Sequence, residues 1–414
     1  MRIAIVGSGI AGLTAAYMLH RCHEVTVFEA DDRVGGHAHT VELEHGGKRL
    51  QLDTGFIVFN DRNYPSFERL MRSLGVAWKP SDMSFSVSDG RGFEYSSRSL
   101  DGVFARRSHL LSPSFVRMLA EIPRFQRAAR RLVKSGDDTT SLRLWLRSQG
   151  LSDGFTERLL VPQVSAVWSA DPGQLWSLPA LFVAQFFENH GMLSLRGRPH
   201  WRTIESGSAS YVRALTKPFG HRIHTGTPVH SVSRGPDGVV LHVQGAEPLC
   251  FDQVVLATHS DEALAILADP SEREREILSL IPYQKNEAIL HTDRALLPRR
   301  RRAWASWNYH LLDQPPGRTT VTYHLNRLQQ FKSEREFCVT LNMSDRIDPA
   351  QIIKRIAYAH PVYTPAGVAA QERVREISSA GRRTHFCGAY WGWGFHEDGV
   401  RSGLRVAESL GARS

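Results

Sequence analysis

Lysine is scarce in this chain. Of its 51 basic residues only seven are lysines, at 48, 79, 134, 217, 285, 332 and 354, so the net charge of +9 is carried by scattered arginines. No lysine-rich tail is present, the one arginine block at 299–302 reads as a solvated loop or a lipid contact, and no nucleic-acid partner is expected. Cysteine is nearly as rare. Cys22, Cys250, Cys338 and Cys387 form no CxxC spacing, which excludes a disulfide scaffold and a zinc ribbon and points to a reducing, cytoplasmic compartment. His396, Glu397 and Asp398 lack the second histidine of HExxH, so no metal is assigned. Two weakly charged runs could mislead. Residues 3–19 are interrupted by Gly7, Gly9 and Gly12, which break a signal-peptide helix. Residues 159–187 carry a single charge, Asp171, but Pro162, Pro172, Pro179 and Gly173 would leave backbone groups unsatisfied in hydrocarbon. With 414 residues, 42% hydrophobic and 22% charged, the chain is globular and long enough for two or three domains.

The first thirty residues carry the strongest local signal. RIAIV (2–6) reads as a strand buried on both faces, GSGIAG (7–12) comes directly after it, Ile10, Leu13, Ala16 and Tyr17 keep helical spacing, and VTVFE (25–29) is a second strand ending in an acid. Glu29 stands 20 positions after Gly9, the separation at which a carboxylate reaches the ribose of an adenine dinucleotide. Gly7 permits the tight turn, Gly9 admits a pyrophosphate, and Gly12 lets helix and strand pack. The amides of Ser8, Ile10 and Ala11 supply partial positive charge at the helix N-terminus.

The stretch beyond Glu29 decides between cofactors. ADDRVGGHAHT (30–40), taken with the preceding glycines, Leu13, Ala16 and Glu29, resembles the flavin-dependent amine oxidase, phytoene desaturase and protoporphyrinogen oxidase superfamily, whose signature runs GxGxxGLxxA, an acid, then DRxGG. Arg33, Gly35 and Gly36 match it, and His37 departs from the arginine usual there. The resemblance implies an α/β fold, with a Rossmann-like FAD-binding domain and an interleaved α+β substrate domain. It also implies non-covalent FAD held by the glycine loop, Glu29, Ala30, Arg33, Gly35, Gly36 and His37. A bacterial subgroup associated with cyclopropane or methyl-branched acyl chains shares the FHEDGVRSG ending and the SWNY stretch. No second GxGxxG occurs downstream, so no NAD(P)H domain is expected.

The same resemblance organises the rest. LDTGFIVF (52–59) matches the D-x-G segment that passes the flavin, through Thr54, Gly55 and Phe56. TIESGSASYVRALT (203–216) matches a GG-S-x-x-Y-V turn and helix, with Ser206 in place of the first glycine. Val229 corresponds to an adenine contact, and FDQVVLATH (251–259) to a strand ending at Ala257 and Thr258. THFCGAYWGWGFHEDGVRSGLRVAESL (384–410) corresponds to a final strand, glycine-rich turn and helix. It brings Gly388, Asp398, Gly399 and Val400 to the flavin; Ala389 replaces an acid, whose contact is either missing or supplied by Glu397. Residues 1–60, 203–265 and 383–414 are thus assigned to the FAD-binding domain, and 61–202 and 266–382 to the substrate domain. YQKNEAILHTD (283–293) and RTTVTYHLNRLQ (318–329) read as strands of one sheet, and SPSFVRMLAEIPRFQRAARRLV (112–133) as an amphipathic helix.

The expected chemistry is hydride removal from a hydrophobic substrate, desaturating an unsaturated or methyl-branched acyl lipid ahead of amine oxidation. A redox-neutral polyene isomerase and a non-catalytic lipid-binding protein are the other readings. Lys285 matches a lysine that amine-oxidase relatives keep near the flavin. Asn308, Tyr309 and His324 are further candidates, and Trp391 and Trp393 would wall the channel. Peripheral association with anionic lipid on the inner membrane face is expected through Arg124 to Arg131 and Arg299 to Arg302.

Overall fold

The computed structural model describes residues 1–169, 173–194, 197–313 and 317–412. Asp171 and Pro172, two of the breakers read in the 159–187 run, lie outside them. Strand Arg2–Val6 sits at the centre of a five-stranded sheet, flanked by Glu24–Phe28 and Gln253–Leu256, with Ile223–His224 and Thr384–Phe386 at the edges; all neighbours run parallel. Ile3 and Ile5 are fully buried, as a run without alternation requires of a central parallel strand. Helix Ile10–Leu19 is buried on every side except at Tyr17. The sheet covers one face, and helix His396–Ser409 covers another. A side chain at Gly399 would meet Ile10, and one at Gly403 would meet Thr14. The two ends of the chain therefore close one core.

A second, seven-stranded sheet is drawn from both sides of the middle of the chain. Its order is Ile352–Pro361, Tyr283–His291, Cys338–Leu341, Val321–His324, Trp307–His310, Phe85–Ser88 and Glu94–Ser96. Helix Pro113–Ser135 begins at Ser112, whose hydroxyl accepts from Phe115 N, and ends at Gly136 in the left-handed region, both ordinary helix punctuation. Its Phe125 packs with Phe155, Trp145 and Phe187. The apolar run near 159–187 forms two separate helices, Val161–Trp168 and Ala180–Asn189. Among the described residues no helix is long and apolar enough to cross a membrane.

Two local expectations change in detail. The 318–329 segment is strand only over Val321–His324 and then turns into helix Leu325–Leu328. Asn326 forces that turn, its side chain bonding Arg335 O and Phe337 N across it. Ser206 does occupy a glycine-like position: its φ is +62°, a conformation that costs an L-residue about 1–2 kcal/mol.

Candidate functional site

The glycine loop is built for close approach. Gly7 has φ +101°, and a Cβ there would lie 2.9 Å from the backbone of Ala257, whose own N–H donates to Val6 O. Gly9 has open space where its side chain would be, at the N-terminus of helix Ile10–Leu19. Glu29 stands beside the loop, accepting from Ser8 N at 2.8 Å and from Asp31 N at 3.0 Å. The Gly35–Gly36 turn folds back so that a Cβ at Gly36 would lie 3.2 Å from Gly9 Cα, and Gly35 N donates to Ser8 O. An open helix N-terminus, a carboxylate beside it and a side-chain-free floor fit an adenine dinucleotide.

The chain leaving that turn bonds to the 54–56 segment. Phe56 N donates to His37 O and Thr54 N to His39 O. Asp53, just before it, is buried and accepts from Ser208 N at 2.8 Å and Thr40 Oγ1 at 2.6 Å. Burial pushes its carboxyl up to about 6, against those hydrogen bonds. Asp53 thereby ties the 207–208 turn to the segment expected to pass the flavin, a role its local sequence does not announce.

Histidines crowd this end. His37 stacks on Tyr358 with ring centroids 4.7 Å apart and lies 5.2 Å from His360. Its Nε2 is buried without a hydrogen-bond partner, so a polar atom here is left for a bound group. Burial, then the charges of His360, His259, His396 and Arg33, hold the His37 imidazole far below its usual range. Burial takes His360 down to about 4 and His396 to about 3. His396 stacks on Phe56 at 3.5 Å and its Nε2 meets Tyr211 Oη at 2.9 Å. Tyr358 Oη lies 3.0 Å from Thr54 Oγ1. Asn286 Nδ2 donates to His360 Nδ1 at 2.9 Å, and Asn286 Oδ1 accepts from Asn342 Nδ2.

The four candidates for chemistry are not gathered here. Asn286 pairs with Tyr358, and Lys285 with Ala359; since successive strand residues face opposite sides, Lys285 stands on the face away from Tyr358. It is exposed, on the same face as the Arg355–Glu287 ion pair. Asn308 spends both its oxygen and its nitrogen on the protein, accepting from Ser86 Oγ and donating to Ala305 O and Thr322 O. Tyr309 is buried in the substrate-side core. His324 is level with Cys338 and His291, and His360 pairs with Gln284, seven residues away along the strand, roughly 24 Å at 3.4 Å per residue. Its Nε2 meets Glu336 Oε2 at 2.7 Å.

At the C-terminal turn, Gly388 N donates to Ser402 Oγ, and Val400 is buried in the core shared with the first helix. Glu397 accepts from Ser66 N and Phe67 N, so its carboxylate caps helix Pro65–Ser73. Asp398 accepts from Phe395 N, and burial raises it to about 6. Val229 is buried at the start of a three-stranded antiparallel sheet. Thr258 donates its hydroxyl to His259 O, and His259 stacks on Tyr283. Arg33 reaches Asp31 at 3.9 Å. Tyr358 and His360 were missed, although Ile356, Tyr358 and His360 alternate with Arg355, Ala357 and Ala359, a strand period that could have found them.

Comparison with known proteins agrees with this geometry. The profile of flavin containing amine oxidoreductases matches residues 10–325. The 15-cis-phytoene desaturase of Solanum lycopersicum is 27% identical over 219 residues, covering 48% of this chain and 36% of that protein, so the chain spans little more than a third of that relative's length. Cyclohexylamine oxidase from Brevibacterium oxydans superposes with a TM-score of 0.70 at 17% identity, over 99% of this chain and 98% of that one. A CLA-producing fatty acid isomerase from P. acnes gives 0.66 at 18% identity, over 98% of both chains. The chain belongs to the family of flavin containing amine oxidoreductases, and its cofactor is FAD.

Proposed function

We propose that this protein is an FAD-dependent oxidoreductase that takes a hydride from a C–H bond of a hydrophobic substrate, desaturating an unsaturated or methyl-branched acyl lipid. FAD supplies the hydride acceptor, and the protein supplies binding and orientation. The observation that carries the reading is an aromatic wall packed into the substrate-side core. Trp168, Phe182, Phe186, Tyr363 and Trp393 pack ring on ring, with Phe182 and Trp393 stacked at 4.4 Å. Among the described residues, Asp53, Glu397 and Asp398 are each engaged by backbone amides rather than offered to an ammonium. A wall of this kind suits an acyl chain, whose burial contributes about 0.8 kcal/mol per methylene with no charge to desolvate.

Loss of a hydride and of a proton from adjacent carbons leaves a double bond in the chain and two electrons on the cofactor. The proton leaves to water at the substrate, since burial holds the imidazoles of His37, His360 and His396 too low to take it at neutral pH, and Lys285 stands on the opposite strand face. Anaerobic titration of the yellow protein tests the assignment. Methyl-branched or unsaturated phospholipid should bleach the flavin within a single turnover while mono- and polyamines leave it oxidised. Bleaching by an amine with lipids inert overturns the lipid reading in favour of amine oxidation. Isomerised lipid with no net bleaching would move the reading to redox-neutral chemistry.

A further inference from the structure

We propose that the corner formed by residues 106–118 is a docking site for an anionic bilayer, with a cavity that takes a phospholipid phosphate and a leucine knob that enters the acyl boundary. The cavity, about 330 Å³, is lined by Arg91, Arg106, Arg158, Ser108 and His109 over a floor of Phe93 and Phe115. Arg106 and Arg158 have no carboxylate partner among the described residues. Arg106 Nε donates to Ser108 Oγ, and the Arg158 guanidinium lies over the Phe93 ring at 4.8 Å. His109 is only 6% exposed, stacks on Phe115 at 4.2 Å, and leaves Nδ1 buried without a partner. The one carboxylate in the lining, Asp89, has an oxygen taken by the amides of Arg91, Gly92 and Phe93. Two uncommitted guanidiniums and an unsatisfied imidazole nitrogen around one hollow make an anion site.

The same short segment turns its other residues outward. Leu110 is 55%, Leu111 87% and Val116 47% exposed, and with Leu100 they make four of the seven exposed large apolar side chains among the described residues. Apolar groups in water beside unpaired arginines are complementary to a surface that is anionic above and apolar beneath. Three of the arginines expected from the sequence to meet lipid are engaged by the protein. Arg300 pairs with buried Glu94, Arg302 with Asp101, and Arg130 bonds Leu193 O.

This proposal is independent of the oxidoreductase reading, because vesicle binding needs no turnover. The holoenzyme is sedimented with phosphatidylcholine vesicles and with vesicles containing phosphatidylglycerol, and flavin absorbance reports that each variant is folded. Wild type should bind the anionic vesicles alone, less as salt rises. R106Q/R158Q should weaken binding about 25-fold, at about fivefold per cation, and L110S/L111S should weaken it by tenfold or more. R124Q/R131Q should leave it unchanged. Equal binding to both vesicle types, or equal loss in R124Q/R131Q, overturns the site. Saturable binding of inorganic phosphate that depends on Arg158, with vesicles ignored, also overturns it in favour of a soluble anion.

Discussion

The seven-stranded sheet buries histidines at both ends, and the two ends treat them differently. At the Cys338 end, His291 Nε2 meets Thr340 Oγ1 and its Nδ1 accepts from Asp293 N, while His324 is bound to Glu336 through Nε2 and leaves Nδ1 without a partner. At the Tyr283 end, His37 is packed against Tyr358 with Nε2 unsatisfied. His291 thus spends both ring nitrogens as a cross-link, whereas His37 keeps one nitrogen unfilled beside the glycine loop. An unpaired buried polar group costs about 1–3 kcal/mol, so the fold carries a penalty beside the glycine loop that a bound dinucleotide can relieve.

Substitutions at the two ends should therefore separate cofactor retention from stability. Glu29→Ala, at the lined end, should weaken FAD binding on the order of 100-fold, the loss of two charge-assisted hydrogen bonds, with little change in far-UV circular dichroism; retained FAD would break the contrast. His324→Ala, at the cross-linked end, should lower unfolding free energy by about 2–3 kcal/mol while the purified protein stays yellow. Loss of flavin in that variant would mean the ends are coupled.

Acid acts on both ends at once. The imidazoles of His291, His310 and His360, held at about 4, stay neutral in the fold but ionise near 6.5 when unfolded. Their stabilisation is complete above 6.5 and is lost as the pH falls towards 4. Asp53 and Asp398, raised to about 6, act in the opposite sense between 3.8 and 6, but the buried imidazoles outnumber them. Melting temperature should fall between pH 7 and pH 5, and a rise would contradict the neutral state of these rings. Smaller again, Ser206→Gly should raise stability by about 1 kcal/mol by removing a left-handed serine. Lys285→Met should change neither flavin binding nor the rate of reduction, since its side chain is outside the lined end; slower reduction would return it to the site.

The sequence made the near side of this site legible because its signals are local. Gly7, Gly9, Gly12 and Glu29 lie within one strand–helix–strand unit, and each answers a requirement of backbone geometry. The far side comes from a strand some 320 residues later, and its register with Asn286 is set by pairing that no short window contains. Lys285 illustrates the failure. It lies on the expected strand, but a phase difference of one residue carries a side chain to the opposite face, and resemblance to relatives with low identity does not fix that phase. The capping role of Glu397 was hidden for another reason: its partners, Ser66 and Phe67, are 331 and 330 positions away.

The closure of helix Ile10–Leu19 by helix His396–Ser409 also dictates an order of events in the cell. The first helix is apolar all round, yet the glycines that cover it, Gly399 and Gly403, leave the ribosome about 390 residues later. At about 5–20 residues per second, that is on the order of 20–80 s in which the nascent chain displays an uncovered apolar helix. The last face of this helix is therefore closed only by the finished chain, and a chain cut before Gly399 should leave that face open.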